Sequence, residues 1–167
     1  VSTDAGDSNF TVDRFEQHSG IFLAGDSNIT VQSAANQAFY ITGGTFTNTS
    51  SNFYLKGGIE VNDSTSVPTF TTPAGSNFEA FPSIGNTIFR IDSPISLYDL
   101  EFKFGGATRY YYLYGELTVE NDLTLNTYDI SGNGGQIEST ANSNINVKGN
   151  VIIGRNTEAN YGSYSPN

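Results

Sequence analysis

The sequence predicts an all-β fold, a right-handed parallel β-helix (β-solenoid) of about seven coils of ~22 residues. Three observations predict it. First, one phrase recurs: a polar turn residue, then two apolar residues two positions apart. Its polar residues are spaced 19, 24, 25, 22, 23 and 22 apart, and a repeat of that length marks an architecture of stacked units. Second, apolar residues alternate with a period of two over short runs rich in β-branched and aromatic types, which is the pattern of strands. Third, Gly, Asn, Asp and Ser punctuate those runs, as in Gly43-Gly44, Gly57-Gly58 and Gly105-Gly106. Gly reaches positive φ without steric cost, and Asn and Asp tolerate it. A sandwich or barrel would share the short strands but not the repeat in register.

In chain order, the phrases are Asn9-Phe10-Thr11-Val12, Asn28-Ile29-Thr30-Val31, Asn52-Phe53-Tyr54-Leu55 and Asn77-Phe78-Glu79-Ala80. They continue as Asp99-Leu100-Glu101-Phe102, Asp122-Leu123-Thr124-Leu125 and Asn144-Ile145-Asn146-Val147. Each predicts a strand whose first and third residues after the turn point inward and stack coil on coil, with the residue between them outward. The outward positions hold Thr11, Thr30, Tyr54, Glu79, Glu101, Thr124 and Asn146, a mostly polar set. A second strand per coil is visible at Glu116–Val119, with Ile137 and Val151/Ile153 expected in similar places. Pro68 and Pro73 break the pattern, because proline removes a ladder donor, so residues 62–75 are expected to protrude as a loop. The stretch from Phe81 to Pro94, also with two prolines, is a second irregular place. Residues 1–167 read as a single domain and 156–167 as a tail or linker. The start at Val1, with no initiator Met, charged n-region or apolar h-region, reads as a processed product or a piece of a longer chain.

Composition narrows the partners. The net charge is −10 with seven basic residues, scattered so that no patch follows a phosphate backbone; nucleic acid is not an expected partner. An anionic membrane surface is disfavoured for the same reason, and no apolar run suits membrane insertion. The chain has no Cys, which excludes disulfides and thiolate chemistry and fits an extracellular location.

Several columns carry the residue types of chemistry. The turn column Asn9, Asn28, Asn52, Asn77, Asp99, Asp122 and Asn144 could present metal ligands, but Asn at a solenoid corner also donates its amide to the adjacent coil, and a structural turn ladder is the expectation. No cofactor is expected. Calcium is the alternative, with Asp129 in the Gly-rich turn 129–135 as the candidate ligand. In the run Tyr110-Tyr111-Tyr112-Leu113-Tyr114, alternation turns Tyr111 inward and Tyr110, Tyr112 and Tyr114 outward. Exposed aromatic rings stack on sugars or anchor a protein partner, and these three are the candidate ligand-binding residues. Lys56, Lys103 and Lys148 each follow the turn residue by four and are expected on one outward column. Catalysis finds no constellation in assignable roles. His18 is the single histidine, no G-x-S-x-G is present, and acid pairs such as Glu79 and Glu101 arise from the repeat itself. Two N-x-S/T sequons, at Asn9 and Asn28, are likewise by-products of the phrase.

The stretches Tyr112–Asn126 and Asn142–Val151 resemble the G-x-L-x-V-x-x-x-L-x-L coils of large surface and adhesin-like proteins of Bacteroidota. Those proteins carry parallel β-helix regions and are often exported by the type IX secretion system. The resemblance covers Leu97 to Ile153 well and the N-terminal half loosely. It implies a cell-surface, non-catalytic role in adhesion or as a stalk. The sorting domain such proteins usually carry at the C-terminus has no counterpart in Ala159–Asn167, which fits a piece of a longer protein or a different family. The resemblance also implies Ser64, within Asp63-Ser64-Thr65, as a candidate O-glycosylation site.

The expected function is a structural or adhesive segment of an extracellular bacterial surface protein that binds glycans or surfaces through an exposed face. Neighbouring coils of the same protein or another copy are the expected partners at the ends of the stack, since open strand edges need cover. The alternatives are a subunit of an extracellular filament, and a carbohydrate-active β-helix enzyme or phage tailspike.

Overall fold

The computed structural model describes residues 9–48, 52–61, 68–72, 74–81, 86–92, 95–104, 109–127, 135–139 and 143–155. Every regular element among them is a strand. The chain winds through three sides per turn. The first turns comprise β1 (Phe10–Val12), β2 (Phe15–Gln17) and β3 (Ile21–Gly25), then β4 (Ile29–Val31), β5 (Phe39–Ile41) and β6 (Thr45–Asn48), then β7 (Phe53–Leu55), β8 (Ile59–Val61) and β9 (Thr69–Thr71). The winding continues with β10 (Asn77–Ala80), β11 (Asn86–Ile91) and β12 (Ser96–Leu97), then β13 (Asp99–Phe104), β14 (Arg109–Tyr114) and β15 (Glu116–Val119). It ends with β16 (Leu123–Thr127), β17 (Gly135–Ser139), β18 (Asn144–Val147) and β19 (Val151–Arg155).

One side is a seven-stranded sheet in the order β1-β4-β7-β10-β13-β16-β19, the second a six-stranded sheet, β17-β14-β11-β8-β5-β2. The third side is divided into two three-stranded sheets, β3-β6-β9 and β12-β15-β18. Neighbours pair in parallel and in step, for example Ile29 with Phe53 and Phe53 with Phe78. This is a parallel β-solenoid, the fold that the repeated phrase predicts.

The inward columns make the core. Ile29, Phe39, Ile41, Phe46, Phe53, Ile59, Phe102 and Leu117 have no exposed surface. Aromatic rings stack along the axis: Phe53 and Phe78 lie 4.8 Å apart at 16°, and Phe15 and Phe39 5.0 Å apart at 18°. Full burial of such a side chain stabilises the fold by roughly 1.5–3 kcal/mol. Repetition makes that contribution recur on every coil.

The turn column forms a hydrogen-bonded ladder, but its working atom is an acceptor. The Oδ1 of Asn28 accepts the backbone N–H of Asn52 (3.3 Å), that of Asn52 the N–H of Asn77 (3.3 Å), and that of Asp99 the N–H of Asp122 (3.0 Å). Asn28 also donates its amide to Asn9 Oδ1 (3.2 Å). Asn and Asp are interchangeable here because the oxygen is the group in use. One rung departs: the N–H of Asp99 goes to Ser76 O (3.3 Å).

Two expectations need correction. The phrase at Asn144 does not continue the column. Its strand β18 pairs with β15, Ile145 opposite Leu117 and Val147 opposite Val119. The place above Leu123 and Leu125 belongs to Val151 and Ile153, and the ladder residue is Asn150, whose N–H and Nδ2 both reach Asp122 Oδ1 at 2.9 Å. Within 62–75, expected as a coil with a protruding loop, the described part contains β9, where Phe70 is buried and lies opposite Phe46, and residues 62–67 and 73 lie outside the described residues. Pro68 precedes the strand and so removes no bond from its ladder. Secondly, the stretch from Phe81 to Pro94, expected to be irregular, contains the six-residue β11, and residues 82–85 and 93–94 lie outside the described residues. Ser64, Asp129 and the tail 156–167 lie outside the described residues.

Candidate functional site

The outward side of the six-stranded sheet gathers most of the polar and aromatic chemistry. Alternation on β14 buries Tyr111 and Leu113 and turns Tyr110, Tyr112 and Tyr114 outward. Tyr110 and Tyr112 are half-buried, and Tyr114 is 37% exposed. The rings of Tyr110 and Tyr112 are 6.4 Å apart at 22°. At that separation the two rings stand nearly parallel along the strand, and both remain partly exposed.

The parallel register places specific neighbours beside them. Tyr112 lies between Ile88 and Glu138, Tyr110 between Asn86 and Gln136, and Tyr114 next to Arg90. Arg90 in turn follows Glu60, which follows Tyr40 and Glu16. The column Glu16–Tyr40–Glu60–Arg90–Tyr114 therefore runs along the axis on consecutive coils.

Its charges are organised by hydrogen bonds. Arg90 Nε donates to Asp92 (2.8 Å) and Nη1 to Glu60 (3.3 Å), and Gln37 Nε2 donates to the other oxygen of Glu60 (2.7 Å). Burial works against the charge on Arg90, but the hydrogen bond and field of Asp92, joined by Glu60, outweigh it and hold its pKa above the ordinary guanidinium value. Gly115 makes room for Asp92. It has φ +75°, and a side chain there would collide with the Asp92 carboxylate. Towards the N-terminal end, His18 bridges Glu16 (Nε2, 2.7 Å) and Thr42 (Nδ1, 2.6 Å), and Arg14 pairs with Glu16 at 3.3 Å.

The other candidates are distributed elsewhere. Asn28, Asn52, Asp99 and Asp122 spend their side-chain oxygens on the next coil. Among the described residues no group of three or more His, Cys, Asp and Glu converges as metal ligands. Lys103 pairs with Glu79 and Glu101, which stand in register on adjacent strands of the seven-stranded sheet. Lys148 is not on that column. It follows β18 on another side and holds Glu120 at 2.6 Å, whose pKa is lowered chiefly by that hydrogen bond.

Sequence reasoning found the tyrosines from alternation but missed Tyr40, Glu60, Arg90 and Asp92. Only the register of strands 20 to 30 residues apart brings them together, and no local pattern encodes it. No protein-family model, curated protein or solved structure matches this chain.

Proposed function

We propose that this chain is a non-catalytic structural and adhesive segment of an extracellular bacterial surface protein, and that the outward side of its six-stranded sheet binds carbohydrate. The observation that carries this reading is the row Tyr110, Tyr112 and Tyr114, partly exposed on one strand beside the Glu60–Arg90–Asp92 network. Tyrosine faces suit the apolar faces of sugar rings. Carboxylates and guanidinium N–H groups suit hydroxyls as acceptors and donors. A rigid, paired sheet presents both without an ordering cost on binding.

Binding to a panel of immobilised polysaccharides tests it. Replacing all three tyrosines by Ala should abolish binding while the circular dichroism spectrum and melting temperature stay close to the parent. Retained binding in the triple variant would overturn the assignment of the site.

A second reading, a filament subunit, is favoured by one observation. Val151, Ile152 and Ile153 on the edge strand β19 are 56%, 43% and 59% exposed, whereas Leu123 below Val151 is 5% exposed. An apolar edge strand is a template for another strand. Sedimentation velocity over a concentration series should then show growing oligomers that Ile153→Lys reduces. A concentration-independent monomer rules this second reading out.

A further inference from the structure

We propose that Lys103 and Asn126 become joined by an intramolecular amide bond, with Glu79 and Glu101 carrying the protons. The four side chains meet on the outward side of the seven-stranded sheet. Lys103 on β13 is in register with Asn126 on β16, and Glu101 on β13 with Glu79 on β10. Lys103 Nζ touches Glu79 and lies 3.8 Å from Glu101. Asn126 Nδ2 donates to Glu101 Oε1 at 3.1 Å. One carboxylate therefore holds the amine and a second holds the carboxamide.

The surroundings separate this cluster from an ordinary surface ion pair. The side chains of Lys103, Glu79 and Glu101 are each 18% exposed, against 55% and 36% for Lys148 and Glu120. Tyr54 stands in register with Glu79, and Phe81 follows Ala80, the partner of Phe102. The amine becomes nucleophilic once it has lost a proton, and the contacting Glu79 carboxylate is placed to take it. Two adjacent paired strands hold the reacting groups as neighbours, which replaces a bimolecular encounter by an intramolecular one. The reaction occurs once per molecule, so a slow rate suffices.

The step balances without an oxidant or cofactor. Glu79 takes one proton from the Lys103 ammonium, and the amine attacks Cγ of Asn126. The Nζ–Cγ bond forms, Glu101 takes the second proton from Nζ, 3.8 Å away, and passes it to Nδ2, which it already touches. The Cγ–Nδ2 bond then breaks, the nitrogen departs as ammonia, and it takes up the proton held by Glu79. An ammonium and a carboxamide become a secondary amide and an ammonium ion. The product ties β13 to β16 covalently and strengthens the stack against axial shear. It also removes one positive charge from a chain whose net charge is −10.

Intact-mass spectrometry of the purified chain tests this directly. The expected mass is below the sequence mass by one ammonia, and a proteolytic digest should contain a branched peptide joining Lys103 to Asn126. Lys103→Arg and Asn126→Ala should each restore the full mass. Glu101→Gln should leave the chain folded, by circular dichroism, and at least tenfold poorer in the linked form. A parent chain at full sequence mass overturns the proposal. So does a mass deficit that persists in Lys103→Arg, because it would mark a cyclised asparagine elsewhere.

Discussion

Replacing Tyr111 by Phe should stabilise this protein, although it deletes a polar group from the middle of the fold. Tyr111 has no exposed surface, and its hydroxyl has no hydrogen-bond partner among the described residues. The ring itself is well placed, with centroids 4.6 Å from Phe102, 5.6 Å from Phe104 and 6.2 Å from Phe89. Phe keeps all three contacts. A buried, unsatisfied polar group costs about 1–3 kcal/mol, so Tyr111→Phe should gain that amount less the contacts of one oxygen. For a chain of this size 1 kcal/mol moves the melting temperature by about 2–4 °C. Alkaline pH provides an independent check. Burial, with a contribution from Glu79, raises the Tyr111 pKa far above the ordinary phenol value. The folded state holds its proton where the unfolded state loses it. Stability is therefore intact below about pH 10 and falls above it by about 1.4 kcal/mol per pH unit from this one group, until the folded-state pKa is reached. Urea unfolding of both proteins at about pH 7 and about pH 11 measures both effects. The variant should be the more stable at neutral pH, and its advantage should widen in alkali. A destabilised variant, or identical alkaline slopes, would refute the account of Tyr111 as a buried phenol without a partner.

Other expectations follow from the same geometry. Thr87 is in register with Tyr111 and its buried hydroxyl also lacks a partner among the described residues, so Thr87→Val should be neutral or stabilising in urea melts. Asp99 Oδ1 accepts from Asn121 Nδ2 at 2.8 Å and from the N–H of Asp122 at 3.0 Å. Asp99→Asn, which retains the oxygen, should cost much less than Asp99→Ala, which should cost about 1–3 kcal/mol; equal losses in urea melts would show that the ladder does not depend on the acceptor. Phe39, fully buried against Phe15, Phe46, Phe53 and Phe70, should cost about 3–5 kcal/mol as Phe39→Ala, read by thermal denaturation. Gly115→Ala forces a side chain into Asp92 at φ +75° and should lower stability by more than about 1 kcal/mol. It should also weaken carbohydrate binding measured on immobilised polysaccharide, since Asp92 holds Arg90.

Much of the fold was legible because its determinants are local. Alternation on Arg109–Tyr114 told Tyr111 from Tyr110 and Tyr112 without any knowledge of the neighbouring strands. The Asn-apolar-x-apolar phrase located six strands of the seven-stranded sheet, since a polar corner and two inward residues suffice to define each. The candidate site was half legible. Its tyrosines lie on one strand, whereas Glu60 and Arg90 meet only because β8 and β11 pair. The last phrase shows where local reading ends. Asn144-Ile145-Asn146-Val147 carries the same pattern as its predecessors, yet it folds against β15 on a different side, and Asn150 takes the ladder position.

The sequence by itself determined the period, the strand character and which face of each strand is apolar, because side-chain alternation and turn preference act within a few residues. The tertiary structure alone decided which strand lies beside which, that the ladder works through oxygen acceptors, and that Lys103 faces Asn126 between two glutamates. Those outcomes depend on how many residues each corner absorbs before the next strand begins. That count is settled by core packing across coils, a long-range quantity absent from any single phrase.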